Sequence, residues 1–184
     1  MSDYSYLRFT KYSGGYQVGN EKDRVGLQST PPSWHLKIPS YIDVEGEKQI
    51  VNKISCRCFA QITELMSVSL PSTITFIDFN AFFNTKIKKM IIPFSVTTIS
   101  SSTFNYMHSL ETVIFERGIK LESFGKIMFY DCHSLKIVYY CGSTDMSNLE
   151  DDYSTLAKNP IVYTLDTYLP PKTFGIINVI RTYT

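Results

Sequence analysis

Between Pro93 and Phe115 the chain reads PFSVTTISSSTFNYMHSLETVIF. Among its large apolar residues, Val96, Ile99, Phe104, Leu110, Val113 and Phe115 form a frame whose spacings suit neither one amphipathic helix nor one long strand. The same frame recurs on both sides. Upstream it runs Ile54, Phe59, Leu65, Val68, Leu70-Pro71, and then Ile77, Phe82, Ile87, Met90, Ile92-Pro93. Downstream it runs Phe124, Phe129, Leu135, Val138, Tyr140. The step from the first Ile or Phe to the central Phe is five residues in every copy, and the central phenylalanines stand at 59, 82, 104 and 129. One residue is lost after Phe82, and about two are gained around Gly118. A unit this short cannot bury its own apolar side chains. Stacked on its neighbours, it places like over like and makes a continuous core, so the repeat predicts a solenoid.

Each copy ends in an alternating Leu-x-x-Val-x-Leu segment. This predicts short strands near 67–70, 89–92, 112–115 and 137–140, paired in parallel along the solenoid axis. Pro71 and Pro93 close two of them, where a missing N–H is harmless. The four central phenylalanines are expected to stack as one spine on the opposite side, within helical or irregular turns. The fold class expected is therefore an α/β solenoid with strands on one face and turns on the other.

The frame Pro-x-x-Val-x-x-Ile-x-x-x-x-Phe-x-x-x-x-x-Leu-x-x-Val-x-Phe resembles the BspA-type leucine-rich repeat. Phe129 followed by Tyr130-Asp131-Cys132-His133-Ser134-Leu135 matches that family's Phe-x-x-Cys-x-x-Leu segment. The resemblance covers residues 50–140, and reaches more loosely to Ile38-Pro39. Tyr140-Cys141-Gly142-Ser143 and Thr173-Phe174-Gly175 resemble the closing segment of protozoan, trichomonad-type members. Glu116 departs from the pattern, standing where Pro is usual. The resemblance implies a leucine-rich-repeat fold and a surface antigen or adhesin at the cell surface; no cofactor is expected.

The flanks read as caps of a single domain: residues 1–49, four repeats over 50–140, and residues 141–184. Ser13-Gly14-Gly15 signals a hairpin, and Glu45-Gly46-Glu47-Lys48 a turn. Ser147-Asn148-Leu149-Glu150 is a capping box, and Asn159-Pro160 a stop, which predicts a helix over about 148–158. Strands are expected at 161–165 and 174–180.

Eighteen Lys plus Arg against seventeen Asp plus Glu leave a net charge of +1, which gives no support to a nucleic-acid partner. Lys86-Ile87-Lys88-Lys89 reads as one solvated turn. The chain has no apolar run long enough to span a membrane, no recognisable signal peptide and no Asn-X-Ser/Thr triplet. These features fit a protein kept in the cytoplasm, or one exported by a signal of another kind, whereas the resemblance implies the cell surface. There is no phosphate loop, HExxH or G-x-S-x-G, so catalysis is not expected.

Of the four cysteines, Cys58 precedes a central Phe in the column that holds Ala81 and Thr103, and Cys132 occupies a core column. Both are expected to be buried thiols, with Cys56 and Cys141 more exposed. Cys56-Arg57-Cys58 lacks the second pair that a zinc site needs. His108 and His133 each open a His-Ser-Leu tripeptide four residues after a central Phe, so register stacks them about 5 Å apart. Two stacked imidazoles could share a metal or respond to pH, or simply face water in their turns. With a third and fourth ligand missing, no metal site is assigned.

The remaining candidate is the outer sheet surface. Between the core positions lie Ser67 and Ser69, Lys89 and Ile91, Thr112 and Ile114, Ile137 and Tyr139. Ile91, Ile114 and Tyr139 should form an apolar column flanked by Lys89, Thr112 and Ile137. Aligned apolar residues facing solvent mark a contact surface, although β-branched residues also sit there for strand propensity. A protein or host-surface ligand, or a second copy of the chain, is the expected partner.

Overall fold

The computed structural model describes residues 4–20, 22, 25–142, 144, 160–164, 173–174 and 177–181, the last two segments in their backbone pairing. Its strands are β1 (Phe9–Tyr12), β2 (Gly15–Val18), β3 (His35–Lys37), β4 (Tyr41–Val44), β5 (Glu47–Ile54), β6 (Ser67–Ser69), β7 (Phe76–Ile77) and β8 (Lys89–Ile92). They continue with β9 (Thr98–Ile99), β10 (Thr112–Phe115), β11 (Ser123–Phe124), β12 (Ile137–Tyr140), β13 (Ile161–Thr164), β14 (Thr173–Phe174) and β15 (Ile177–Arg181).

The repeats build two parallel walls. In the first, β8, β10, β12 and β13 pair in register, with Met90, Val113, Val138 and Val162 aligned and all fully buried. In the second, the C-terminal end of β5 pairs with β7, then β9, then β11, aligning Ile54, Ile77, Ile99 and Phe124. The sequence did not signal this second wall. Its two-residue strands are too short to show a period of two.

β6 keeps the expected place but pairs with β3, Val68 beside Leu36, and neighbours β8 without joining its ladder. β13 occupies most of the strand expected at 161–165, and β14 and β15 form an antiparallel pair. The helix expected over 148–158 lies outside the described residues.

The third corner holds the phenylalanine spine. Phe59, Phe82, Phe104 and Phe129 stack at centroid separations of 5.6, 6.2 and 5.7 Å, with interplanar angles of 11–16°. The turns carrying them are irregular rather than helical, and among the described residues there is no helix. The reason is a recurring backbone pattern. The residues two before and two after each Phe take positive φ: Arg57 and Gln61, Asn80 and Asn84, Ser102 and Tyr106, Ile127 and Asp131. A right-handed helix cannot propagate through left-handed residues. The backbone bonds run between repeats instead. Phe59 N donates to Ala81 O at 2.8 Å, Gln61 N to Phe83 O at 2.7 Å, Asn84 N to Asn105 O at 3.0 Å and Tyr106 N to Tyr130 O at 2.8 Å. The turns are thus a third hydrogen-bonded seam of the expected leucine-rich-repeat solenoid, in which irregular turns rather than helices face the strands over the described residues.

The front cap closes the exposed end of this stack. Gly26 N donates to Cys58 O at 2.7 Å, and a Cβ on Gly26 would lie 2.5 Å from Cys58 Sγ, so only glycine admits this approach. The β1–β2 hairpin turns at Ser13-Gly14 as expected, and β2 extends the second wall beside β5. The β4–β5 hairpin turns tightly at Glu45 and Gly46, both at positive φ, while Glu47 and Lys48 are already strand.

Candidate functional site

The outer surface of the first wall takes its character from the pleat. Along β8, β10 and β12 the alternate residues Met90, Ile92, Val113, Phe115, Val138 and Tyr140 are buried. Their neighbours Lys89, Ile91, Thr112, Ile114, Ile137 and Tyr139 turn outward, half-buried or exposed. All six expected surface residues therefore lie on one face. The parallel register aligns Lys89, Thr112 and Ile137 in one column, and Ile91, Ile114 and Tyr139 in a second.

β13 lengthens both columns. Ile161 pairs with Ile137, and Tyr163 with Tyr139, their rings stacked at 5.2 Å and 18°. Ile91 and Tyr139 remain 41% and 37% exposed, with Ile114 and Tyr163 half-buried between and beside them, so the column Ile91–Ile114–Tyr139–Tyr163 presents an apolar ridge about 14 Å long at ordinary strand spacing. The signal for this extension was in the sequence: Ile137-Val138-Tyr139 recurs as Ile161-Val162-Tyr163. Towards the front the same face turns polar, through Ser67 and Ser69 on β6 and His35 and Lys37 on β3, where Ser67 Oγ lies 2.9 Å from His35 Nδ1. Just beyond the ridge, the Glu116 carboxylate accepts the backbone N–H of Phe94 at 3.1 Å and so ties the turn after β10 to the turn after β8.

Cys58 and Cys132 are buried free thiols, and Cys56 and Cys141 are partly exposed. Burial pushes the Cys58 thiol up, outweighing the opposing hydrogen bonds from Ser55. Cys132 Sγ donates to Phe104 O at 3.0 Å. Neither geometry suits a nucleophile. Burial also raises Cys141, against the lowering charge of Arg117. His108 and His133 stack at 5.2 Å and 9°, as register predicts. Asp131, which sequence reasoning passed over, stands between their Nε2 atoms.

No helix among the described residues is long and apolar enough to cross a membrane. Compared with curated proteins, the chain has no match. Among solved structures it is similar to a leucine rich cell surface protein from Faecalibacterium prausnitzii A2-165. The two share 14% identity at a TM-score of 0.37, over 82% of this chain and 60% of that one. The chain thus spans less than two thirds of that structure's length. A family model, the BspA type Leucine rich repeat region, matches residues 41–151 in six copies. Leucine-rich repeats of this type are generally non-catalytic interaction modules. With that match covering more than half of its 184 residues, the chain belongs to the BspA-type leucine-rich-repeat family.

Proposed function

We propose that the protein is a non-catalytic recognition module of the surface-antigen or adhesin type, which binds a protein or extracellular-matrix ligand through the outer face of its first wall. The observation that carries this reading is the aligned ridge of Ile91, Ile114, Tyr139 and Tyr163, with Lys89, Thr112 and Ile137 beside it. Scattered apolar residues on a surface need no explanation, whereas a contiguous column with tyrosines is the composition of an interface core. Tyrosine offers large contact area at low entropic cost, and its hydroxyl finds partners at the rim.

The test compares Ile114→Asp and Tyr139→Asp, singly and together, with Val113→Asp. Val113 is fully buried, so a carboxylate there should unfold the protein. The outward changes should leave the fold intact and weaken binding to immobilised matrix proteins or host-type cells by about 1–3 kcal/mol. If the double variant keeps full binding, the sheet face is not the working surface. A shift from oligomer to monomer in solution scattering, with matrix binding absent throughout, would instead identify a self-associating scaffold.

A further inference from the structure

We propose that His108, Asp131 and His133 form a surface site for a divalent transition-metal ion of the zinc class. The site follows from the turn geometry of two adjacent repeats. Asp131 and His133 alternate with the buried Cys132, so both side chains point outward from the turn after Phe129. Asp131 takes φ 61°, the left-handed position that recurs two residues after each central Phe. In the preceding repeat His108 occupies the column of His133. The two turns are pinned by Tyr106 N donating to Tyr130 O at 2.8 Å, and by Tyr130 N donating to the Asn105 carboxamide at 3.2 Å.

The three donors converge. His108 Nε2 lies 2.9 Å from Asp131 Oδ2, and His133 Nε2 lies 2.9 Å from Asp131 Oδ1. All three ligand atoms fall within 4.8 Å of one another. A carboxylate can only accept, so both contacts require Nε2–H on the rings. Metal binding exchanges that N–H for a bond to the ion: each ring then carries its proton on Nδ1 and presents the Nε2 lone pair. Zinc bound at about 2.0–2.2 Å to N and O ligands holds them roughly 3.3 Å apart and lies in the plane of each imidazole, so the near-parallel rings must turn towards each other as well as close in. Both histidine side chains are half exposed, which leaves them that freedom, while Asp131 is one-fifth exposed and supplies the fixed negative charge.

Two imidazoles and one carboxylate suit zinc, copper, nickel or iron, and are a poor match for calcium or magnesium, which want more oxygen ligands. Among the described residues three ligands converge, which leaves a fourth tetrahedral position for water or a further donor. The column offers no further ligand on the front side, since its members in the earlier repeats are Lys86 and Thr63. Among the described residues the site belongs to the third and fourth repeats, and it is separate from the ridge on the first wall.

The experiment is calorimetric titration of the full chain with zinc alone, in a Cys56→Ser, Cys141→Ser background so that partly exposed thiols do not compete. Cobalt(II) absorption in the same protein reports the ligand set. One equivalent should bind in the micromolar range. His108→Ala and His133→Ala should each weaken it about tenfold or more, and Asp131→Asn comparably, with circular dichroism unchanged. Perturbation of the His108 and His133 ring nitrogens by zinc in nuclear magnetic resonance gives a reading that does not depend on any variant folding. No saturable binding at about 1 mM zinc, or equal affinity in the His108→Ala, His133→Ala double variant, overturns the proposal.

Discussion

Replacing Phe104 with alanine tests the spine at its centre. The ring is fully buried and sits between Phe82 at 6.2 Å and Phe129 at 5.7 Å, near parallel to both. Removing it forfeits a transfer term of roughly 2–3 kcal/mol, because the ring no longer leaves water on folding. Two aromatic contacts worth about 0.5–1.5 kcal/mol each go with it. The cavity left behind costs about 24 cal/mol for each Å³ that does not collapse. Collapse is restricted, because the flanking repeats are held by hydrogen bonds on three sides, including Phe82 N to Thr103 O at 3.1 Å. These contributions overlap, and the expected loss is about 4 kcal/mol, near the middle of the range for buried Phe to Ala. Urea denaturation followed by far-ultraviolet circular dichroism measures it. Phe94→Ala is the control: Phe94 is 55% exposed and should change stability by no more than about 0.5 kcal/mol. A Phe104→Ala loss below about 1.5 kcal/mol, or one equal to the control, would refute the spine as the source of cohesion between repeats.

Local geometry sets three further outcomes. Ile127 is β-branched, exposed and at φ 54°, so Ile127→Asn should raise stability by about 1 kcal/mol in the same denaturation assay, and a loss would show that its backbone is not strained. A Cβ on Gly125 would lie 2.1 Å from Ser101 N and 2.4 Å from Ser101 Cα, so Gly125→Ala should lower the melting midpoint and cost about 2–3 kcal/mol; a neutral effect contradicts this close approach of the second wall. In native protein, Cys56 and Cys141 should alkylate while Cys58 and Cys132 stay unmodified until urea is added, and mass spectrometry finding either buried thiol labelled early or in a disulfide would overturn the column argument.

The sequence alone determined the parts that depend on repetition. Four columns of large apolar residues set the repeat and therefore the solenoid, the register of β8, β10 and β12, the spine, and the burial of Cys58 and Cys132. A parallel ladder follows once like must lie over like, so the outward placement of Ile91, Ile114 and Tyr139 was legible as well. What tertiary structure decided is what periodicity cannot encode. Asn80, Asn84 and Asp131 are types that tolerate a left-handed backbone, but Arg57, Gln61, Ser102, Tyr106 and Ile127 at the equivalent positions are not, so the recurring turn conformation has no consistent signal in the side chains. That conformation is held by bonds to the next repeat, which exist only after stacking. The two-residue strands Phe76–Ile77 and Thr98–Ile99 are likewise strands only because a neighbouring copy pairs with them. The meeting of Asp131 with both His108 and His133 has the same origin: the histidines are 23 and two positions away from it in sequence, and the αL turn with a single solenoid step brings the three ligand atoms together.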